Sequence, residues 1–218
     1  MKSSKIAIIA VIFIVAVVFI FGLRSVPVEN PQIGGVISFG GHDWRVLDVQ
    51  EGRALIISDN ILEKRAYNNN NTSATWGTCD LRKYLNGEFY NQFSAEEKAR
   101  ITETKTQNNP NPWFEIEGGK DTNDRIFLLN IEEVIKYFGD SGQLKNKDQE
   151  NKYWIDDQYN SSRIAKYTDE NASWWWLRSP GRSNDRAAYI LDFGFIDLSG
   201  GFFNRKDGGV RPALWLKL

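Results

Sequence analysis

The stretch Val36–Ser58, "VISFGGHDWRVLDVQEGRALIIS", decides how the rest of the chain is read. It holds three apolar runs, Val36–Phe39, Trp44–Val49 and Ala54–Ile57. Gly40-Gly41 and Glu51-Gly52 part them. Short runs of β-branched and aromatic residues between glycine-bearing turns predict an antiparallel meander. Along the second run, alternation places Trp44 and Val46 on one face and Leu47 and Val49 on the other.

The C-terminal third returns to the same pattern. "AAYILDFGFIDLSGGFF" (Ala187–Phe203) predicts a hairpin turning about Asp192–Gly194. "GGVRPALWLKL" (Gly208–Leu218) predicts a final strand with Val210, Pro212, Leu214, Leu216 and Leu218 on one side. Pro212 has no N–H to give a ladder, so it belongs at the start of a strand or at an edge. The first and last strands are expected to pair and close the domain.

Helices lie between. In "TCDLRKYLNGEFYNQF" (Thr78–Phe93), Leu81, Tyr84 and Leu85 form an apolar stripe that Asn86-Gly87 is expected to end. Ser94 and Glu97 have the spacing of a capping box, in which each side chain satisfies the other residue's open backbone N–H. Ile131, Val134, Ile135 and Phe138 predict a third helix stopped by Gly139, and Arg125–Leu129 ("RIFLL") predicts a strand before it. The polar segments 106–125 and 139–154 predict long loops, which in a folded domain are functional or mobile. Strands, then helices and loops, then strands is the order of an α+β domain of short antiparallel strands, not of a parallel α/β sheet.

At the other extreme, Ile6–Leu23 runs for 18 residues without a charged or hydrogen-bonding side chain. As a helix it would span roughly 27 Å, close to the thickness of a bilayer's hydrocarbon core. Lys2 and Lys5 precede it and Arg24 follows, so the short tail is expected in the cytoplasm and the remainder outside. A cleaved signal peptide is the competing reading. The length of the run and the absence of an Ala-x-Ala site favour an uncleaved signal-anchor. The expected organisation is therefore a tail and transmembrane signal-anchor over 1–24, a linker over 25–35 with two prolines and two glycines, and an exported domain over 36–218.

Composition narrows the classes. Of 218 residues, 41% are hydrophobic and 25% charged, the mix of a folded protein. A formal net charge of -1 gives no argument for nucleic acid. The single cysteine, Cys79, rules out an internal disulfide and a cysteine-cluster metal site, and reads as a small buried residue. The single histidine, His42, sits in the turn-like "FGGHDW". "DFG" at Asp192–Gly194 stands without the other kinase motifs and reads as a hairpin turn. Asp121/Asp124 and Asp156/Asp157 are acidic pairs without the glycine and distal glutamate of a calcium loop. No cofactor, metal or catalytic residue is assigned.

The stretch "SWWWLRSPGR" (Ser173–Arg182) carries the candidate site. Extended, it puts Trp174 and Trp176 on one face and Trp175 on the other. Burial is expected for Trp175 or Trp176, and Arg178 and Arg211 are expected to be partly buried and paired with carboxylates. Tryptophan beside Arg, Asn and Asp is the composition of surfaces that bind sugars and proteins. Trp174, Arg182, Asn184, Asp185 and Arg186 are therefore the candidate ligand-binding residues. Trp113 in the first long loop is a further stacking platform.

"FGGHDWRVLDV", "TCDLRKYLNGEFYNQF", "DRIFLL", "WWWLRSPG" and "GGVRPALWLKL", in this order, resemble a bacterial domain family of unknown function, often exported and membrane-tethered. More distantly, an Arg-Ser turn, a Gly-rich hairpin and a terminal Gly-Val-Arg strand are similar to the C-type-lectin-like fold, which includes the sulfatase-modifying enzymes. That resemblance implies joined N- and C-terminal strands and a loop-rich ligand face, with Arg178, Gly209 and Arg211 as structural signature. Those enzymes need two active-site cysteines and the calcium lectins need triplets that are missing here, so neither activity carries over. The expectation is a membrane-anchored extracellular module binding a glycan, a cell-wall component or a protein. The alternatives are a carboxylate-dependent hydrolase at the cell surface and a structural subunit of an envelope complex.

Overall fold

The computed structural model describes residues 31–147, 153–168 and 171–218. The expected membrane-spanning segment, 6–23, lies outside the described residues. Among the described residues no helix is long and apolar enough to cross a membrane.

The chain begins with β1 (Val36–Phe39), β2 (His42–Gln50), β3 (Arg53–Ser58) and β4 (Glu63–Lys64). Then follow α1 (Asp80–Tyr84), α2 (Ala95–Arg100), β5 (Ile101–Thr102), β6 (Thr104–Thr106), β7 (Thr122–Asp124) and α3 (Ile131–Phe138). The last part holds β8 (Trp154–Ile155), α4 (Asn160–Arg163), β9 (Ala165–Lys166), β10 (Ala172–Ser173) and β11 (Trp175–Pro180). It closes with β12 (Arg186–Ile190), β13 (Ile196–Phe202), β14 (Gly209–Val210) and β15 (Ala213–Lys217). The class is mixed α+β, rich in strands.

Two sheets carry the domain. The first has the order β1-β2-β3-β15-β5, and the second β4-β14-β11-β12-β13-β8. The N-terminal meander forms as its sequence dictates. Gly40, Gly41 and Gly52 all take positive φ at its turns, where a side chain would be strained. β15 pairs antiparallel with β3, so the end of the chain closes onto the meander.

The sheets are joined at one corner. Between β14 of the second sheet and β15 of the first stand only Arg211 and Pro212. The Pro212 carbonyl accepts from the Ser58 N–H, and its missing N–H costs no ladder bond. The buried Arg211 guanidinium donates from Nε to the Ser58 carbonyl at 2.8 Å and from Nη2 to the Asp59 carbonyl at 3.1 Å. It thereby fastens the place where β3 leaves the first sheet for β4 in the second.

The predicted capping box is present, and the structure adds a second. Ser94 and Glu97 satisfy each other at the start of α2, and Asn130 and Glu133 do the same at the start of α3. Gly139 ends α3 with a positive φ.

Five local expectations are corrected. A bulge between Val46 and Asp48 breaks the alternation of β2, so Leu47 is buried next to Val46. Asn86-Gly87 does not end the first helix, which continues as a wider turn through Phe89. The Asn86 side chain is the reason: Nδ2 donates to the Arg82 and Ile126 carbonyls while Oδ1 accepts from the Arg125 and Ile126 N–H groups. Arg125–Leu129 is not a strand: it bends at Arg125-Ile126 and makes the bridge Phe127↔Ala213, while Asn86 binds the Arg125 and Ile126 N–H groups and the Leu129 carbonyl accepts from the Arg178 N–H. The final strand is split at Arg211-Pro212, and Ala213–Leu216 are buried on both faces. The folded body also starts before Val36, since Gly34 and Gly35 exchange backbone hydrogen bonds with Val46.

Candidate functional site

The second sheet sorts its side chains into two rows. Register pairs Ile155 with Ile196, Ile190 with Ile196, and Trp175 with Ile190. Directly opposed residues share a face, and all four of these are 0% exposed. This is the inner face, packed into the core. One residue along each strand, Trp154 pairs with Asp197, Asp197 with Tyr189, and Tyr189 with Trp176. That is the outer face.

Trp176 is the buried floor of the outer face. Its Nε1 donates to the Arg65 carbonyl at 2.9 Å, and Tyr67 meets its ring edgewise at 5.8 Å between centroids. Gly208 lets the loop before β14 cross this ring, since a Cβ there would stand 2.0 Å from Trp176 Nε1. Trp174, on the same side as Trp176, meets it edgewise at 4.6 Å and Tyr189 at 5.2 Å. Arg205 lies over the Trp174 ring at 4.3 Å and pairs with Asp207, whose Oδ2 accepts from Trp174 Nε1 at 3.3 Å. The Arg205 guanidinium holds the Asp207 carboxyl below its usual range. A second guanidinium, Arg186, stacks on Phe202 at 3.7 Å and donates to the Gly200 carbonyl.

Asp197 sits between Trp154 and Tyr189 in the outer row. Its Oδ1 accepts from the Ser199 N–H and hydroxyl and from the Gly200 N–H. Burial, then the Asp197 charge, push the Tyr189 hydroxyl up to about 12. The outer face thus offers aromatic edges at Trp154 and Tyr189, one stacked guanidinium at Arg205, and carboxylates at Asp197 and Asp207. Trp154 is 37% exposed and Phe202 41%, so these rings face solvent.

The predicted site residues divide. Trp174 belongs to the outer face, but it is half-buried beneath Arg205 and is not an open platform, and Arg186, one residue out of step with Ala187 and Tyr189, pairs with Phe202 on the opposite side. Asn184 and Asp185 act in a neighbouring loop, where the Asn184 carbonyl accepts from the Ala74 N–H and Asp185 from Ser183 and Asn71. Arg182 and Trp113 fall in a second cluster. Arg182 lies 5.9 Å from the Tyr153 ring, Tyr153 is 5.9 Å from Phe114, and Lys147 lies over both Phe114 and Trp113. Trp113 is half-buried, with Nε1 donating to the Leu144 carbonyl at 2.9 Å. Sequence reasoning missed Trp154, Tyr189 and Arg205. The aromatic and β-branched neighbours Trp154-Ile155, residues that favour strands, were the available signal.

Other candidates are structural. Cys79 is buried, caps α1 through its sulfur, and has its thiol pushed up to about 12 by burial. His42 stacks on Phe89 and meets Trp44 edgewise. Arg178 is buried as expected and binds Glu133 with both terminal nitrogens. Arg211 departs from expectation, since it binds carbonyls rather than a carboxylate. Asp124 is buried between Arg82 and Trp76, and Asp157 is bound by both Nη2 contacts of buried Arg163. Among the described residues no three His, Cys, Asp or Glu side chains converge as a metal site.

This is a strand-rich α+β domain with an aromatic and guanidinium-bearing sheet face exposed on one side. The chain belongs to a family described as a domain of unknown function (DUF6273), whose model matches residues 51–218. No curated protein and no solved structure matches the chain.

Proposed function

We propose that the chain is a membrane-anchored extracellular binding module, and that its ligand docks on the outer face of the second sheet. The observation that carries this reading is the row Trp154–Asp197–Tyr189–Trp176, flanked by the Arg205–Trp174 stack. Rings that present an apolar face beside fixed hydroxyl, carboxylate and guanidinium groups suit a glycan, whose C–H faces stack and whose hydroxyls hydrogen-bond. Cell-wall glycan is the ligand class that fits an anchor over 6–23 and a domain outside the cell. A C-type-lectin-like fold is part of the same reading, supported by the closing pair β3–β15 and by a second sheet bearing the tryptophan strand.

The hydrolase alternative has less support. Among the described residues, the carboxyls of Asp80, Asp121, Asp157, Asp185 and Asp207 are displaced from their ordinary range, all of them downward. A general acid near neutral pH needs the opposite shift.

The test is binding of the full chain, held in lipid nanodiscs, to a glycan array and to purified cell-wall fragments. Trp154→Ala and Trp174→Ala are each expected to weaken binding at least tenfold with an unchanged circular dichroism spectrum. Undiminished binding by both variants would overturn the assignment to this face.

A further inference from the structure

The described chain enters the folded body at Pro31, which is buried, and Gly34 and Gly35 then bond to Val46 of β2. Ile33, between them, is 66% exposed, the most open large apolar side chain among the described residues. It lines one cleft together with Ile164, which follows α4 and is 39% exposed. Val36, 50% exposed, stands opposite Arg45, which lines the same cleft. α4 meets this cleft through Ser161 and Ser162, and meets the β12–β13 turn through Asn160 and Arg163. Gly194 of that turn packs so closely that a Cβ there would stand 2.0 Å from the Asn160 carbonyl oxygen. Phe193, one residue before, is 50% exposed. Four open apolar side chains from three distant segments therefore gather about α4, where the chain enters.

Single exposed apolar side chains are ordinary, and it is position that gives these a meaning. Seven residues, 24–30, separate Pro31 from the end of the apolar run at Leu23. Fully extended, they reach less than about 30 Å. A folded body of this size is roughly 40 Å across. The tether is too short for the body to turn its far side to a bilayer, so the end that bears Ile33 is the one held at the lipid. Charge gives this end no other partner. Arg45 is bound to Asp59, while Asp156 beside Asn160 and Asp192 beside Phe193 are acidic.

We infer that this end of the domain docks on the membrane surface, with Ile33, Ile164 and Phe193 inserted among the lipid headgroups. The inference rests on the anchor proposed over 6–23. Insertion of this kind scales with the apolar area buried, and with acidic neighbours it gains nothing from anionic lipid. β13 runs from the turn at this end to Phe202, about 20 Å away. Docking therefore puts Phe193 at the lipid and holds Phe202 clear of it.

The experiment attaches bimane at Phe193→Cys or at Phe202→Cys in the full chain, held in phosphatidylcholine nanodiscs with and without nitroxide-labelled lipid. Cys79 is buried, so the introduced thiol is the one labelled. Quenching at Phe193 is expected to exceed that at Phe202 at least threefold. Ile33→Ser combined with Ile164→Ser is expected to lower the quenching at Phe193 at least twofold, with an unchanged circular dichroism spectrum. Added phosphatidylglycerol is expected to leave the quenching as it is. A chain that fails to copurify with nanodiscs removes the anchor and this inference with it. Three results overturn the docking while leaving the anchor: equal quenching at the two positions, full quenching at Phe193 in the double serine variant, or quenching that appears only with anionic lipid.

Discussion

Trp175 and Trp176 are neighbours in the chain and both are fully buried, yet they serve opposite faces of one sheet. Trp175 lies in a row of three isoleucines, and its Nε1 donates to the Arg163 carbonyl at 3.0 Å. Trp176 lies in a row with Tyr189, Asp197 and Trp154, and is covered by aromatic and glycine-bearing segments rather than by the core. The inner row is closed mainly by apolar packing, with the Trp175 N–H paired to a carbonyl and the Arg211 guanidinium over its ring. The outer row is closed by rings, a guanidinium and carboxylates that keep polar atoms within reach of solvent. Tryptophan can do both, because it joins a large apolar body to one N–H that must find a partner.

The largest expected effect is on the inner row. Trp175→Ala leaves a large cavity and an unpaired Arg163 carbonyl, and is expected to cost about 4 kcal/mol or more of stability in denaturant titration. Next is the ion pair that supports it. Asp157→Asn leaves buried Arg163 without its carboxylate and is expected to cost about 3 kcal/mol. Burial acts to raise the Asp157 carboxyl, but the Arg163 hydrogen bonds and charge outweigh it, and the net direction is down. A carboxyl depressed by folding stabilises above its unfolded pKa of about 3.9 and loses that stabilisation as pH falls through its lower folded value. The wild type is therefore expected to lose stability on acidification below about pH 4 more steeply than Asp157→Asn.

Gly208→Ala tests the outer closure. The added methyl meets the Trp176 ring and is expected to cost about 1–3 kcal/mol. Trp154→Ala, at a half-open strand position, is expected to change stability by about 1 kcal/mol or less while weakening the ligand. A large stability loss there, with small loss at Trp175, would reverse the assignment of the two faces.

Much of the local structure was legible in the residues. The three strands of Val36–Ser58, the capping box at Ser94 and Glu97, the stripe of α3 and the Asp192–Gly194 turn are set by alternation, spacing and glycine, all of which act over a few positions. The Leu47 bulge and the run-on past Asn86-Gly87 were not legible. The bulge depends on cross-strand register, and the run-on on hydrogen bonds between Asn86 and residues about 40 positions away. For the site, the two-faced reading of Trp174–Trp176 was correct in parity. Its exposure was not legible, because Arg205, which covers Trp174, comes from a loop some 30 residues on.

By itself the sequence determined an α+β chain of short strands, the meander, the helix caps and the family that residues 51–218 match. Only the tertiary structure decided which tryptophans face solvent, that Trp154 and Tyr189 share their row, and that Arg211 lacks a carboxylate while Arg163 and Arg178 have one. The reason is the range of the forces. Turn, cap and alternation preferences act between near neighbours, whereas burial and ion pairing depend on which distant segments fold against each side chain.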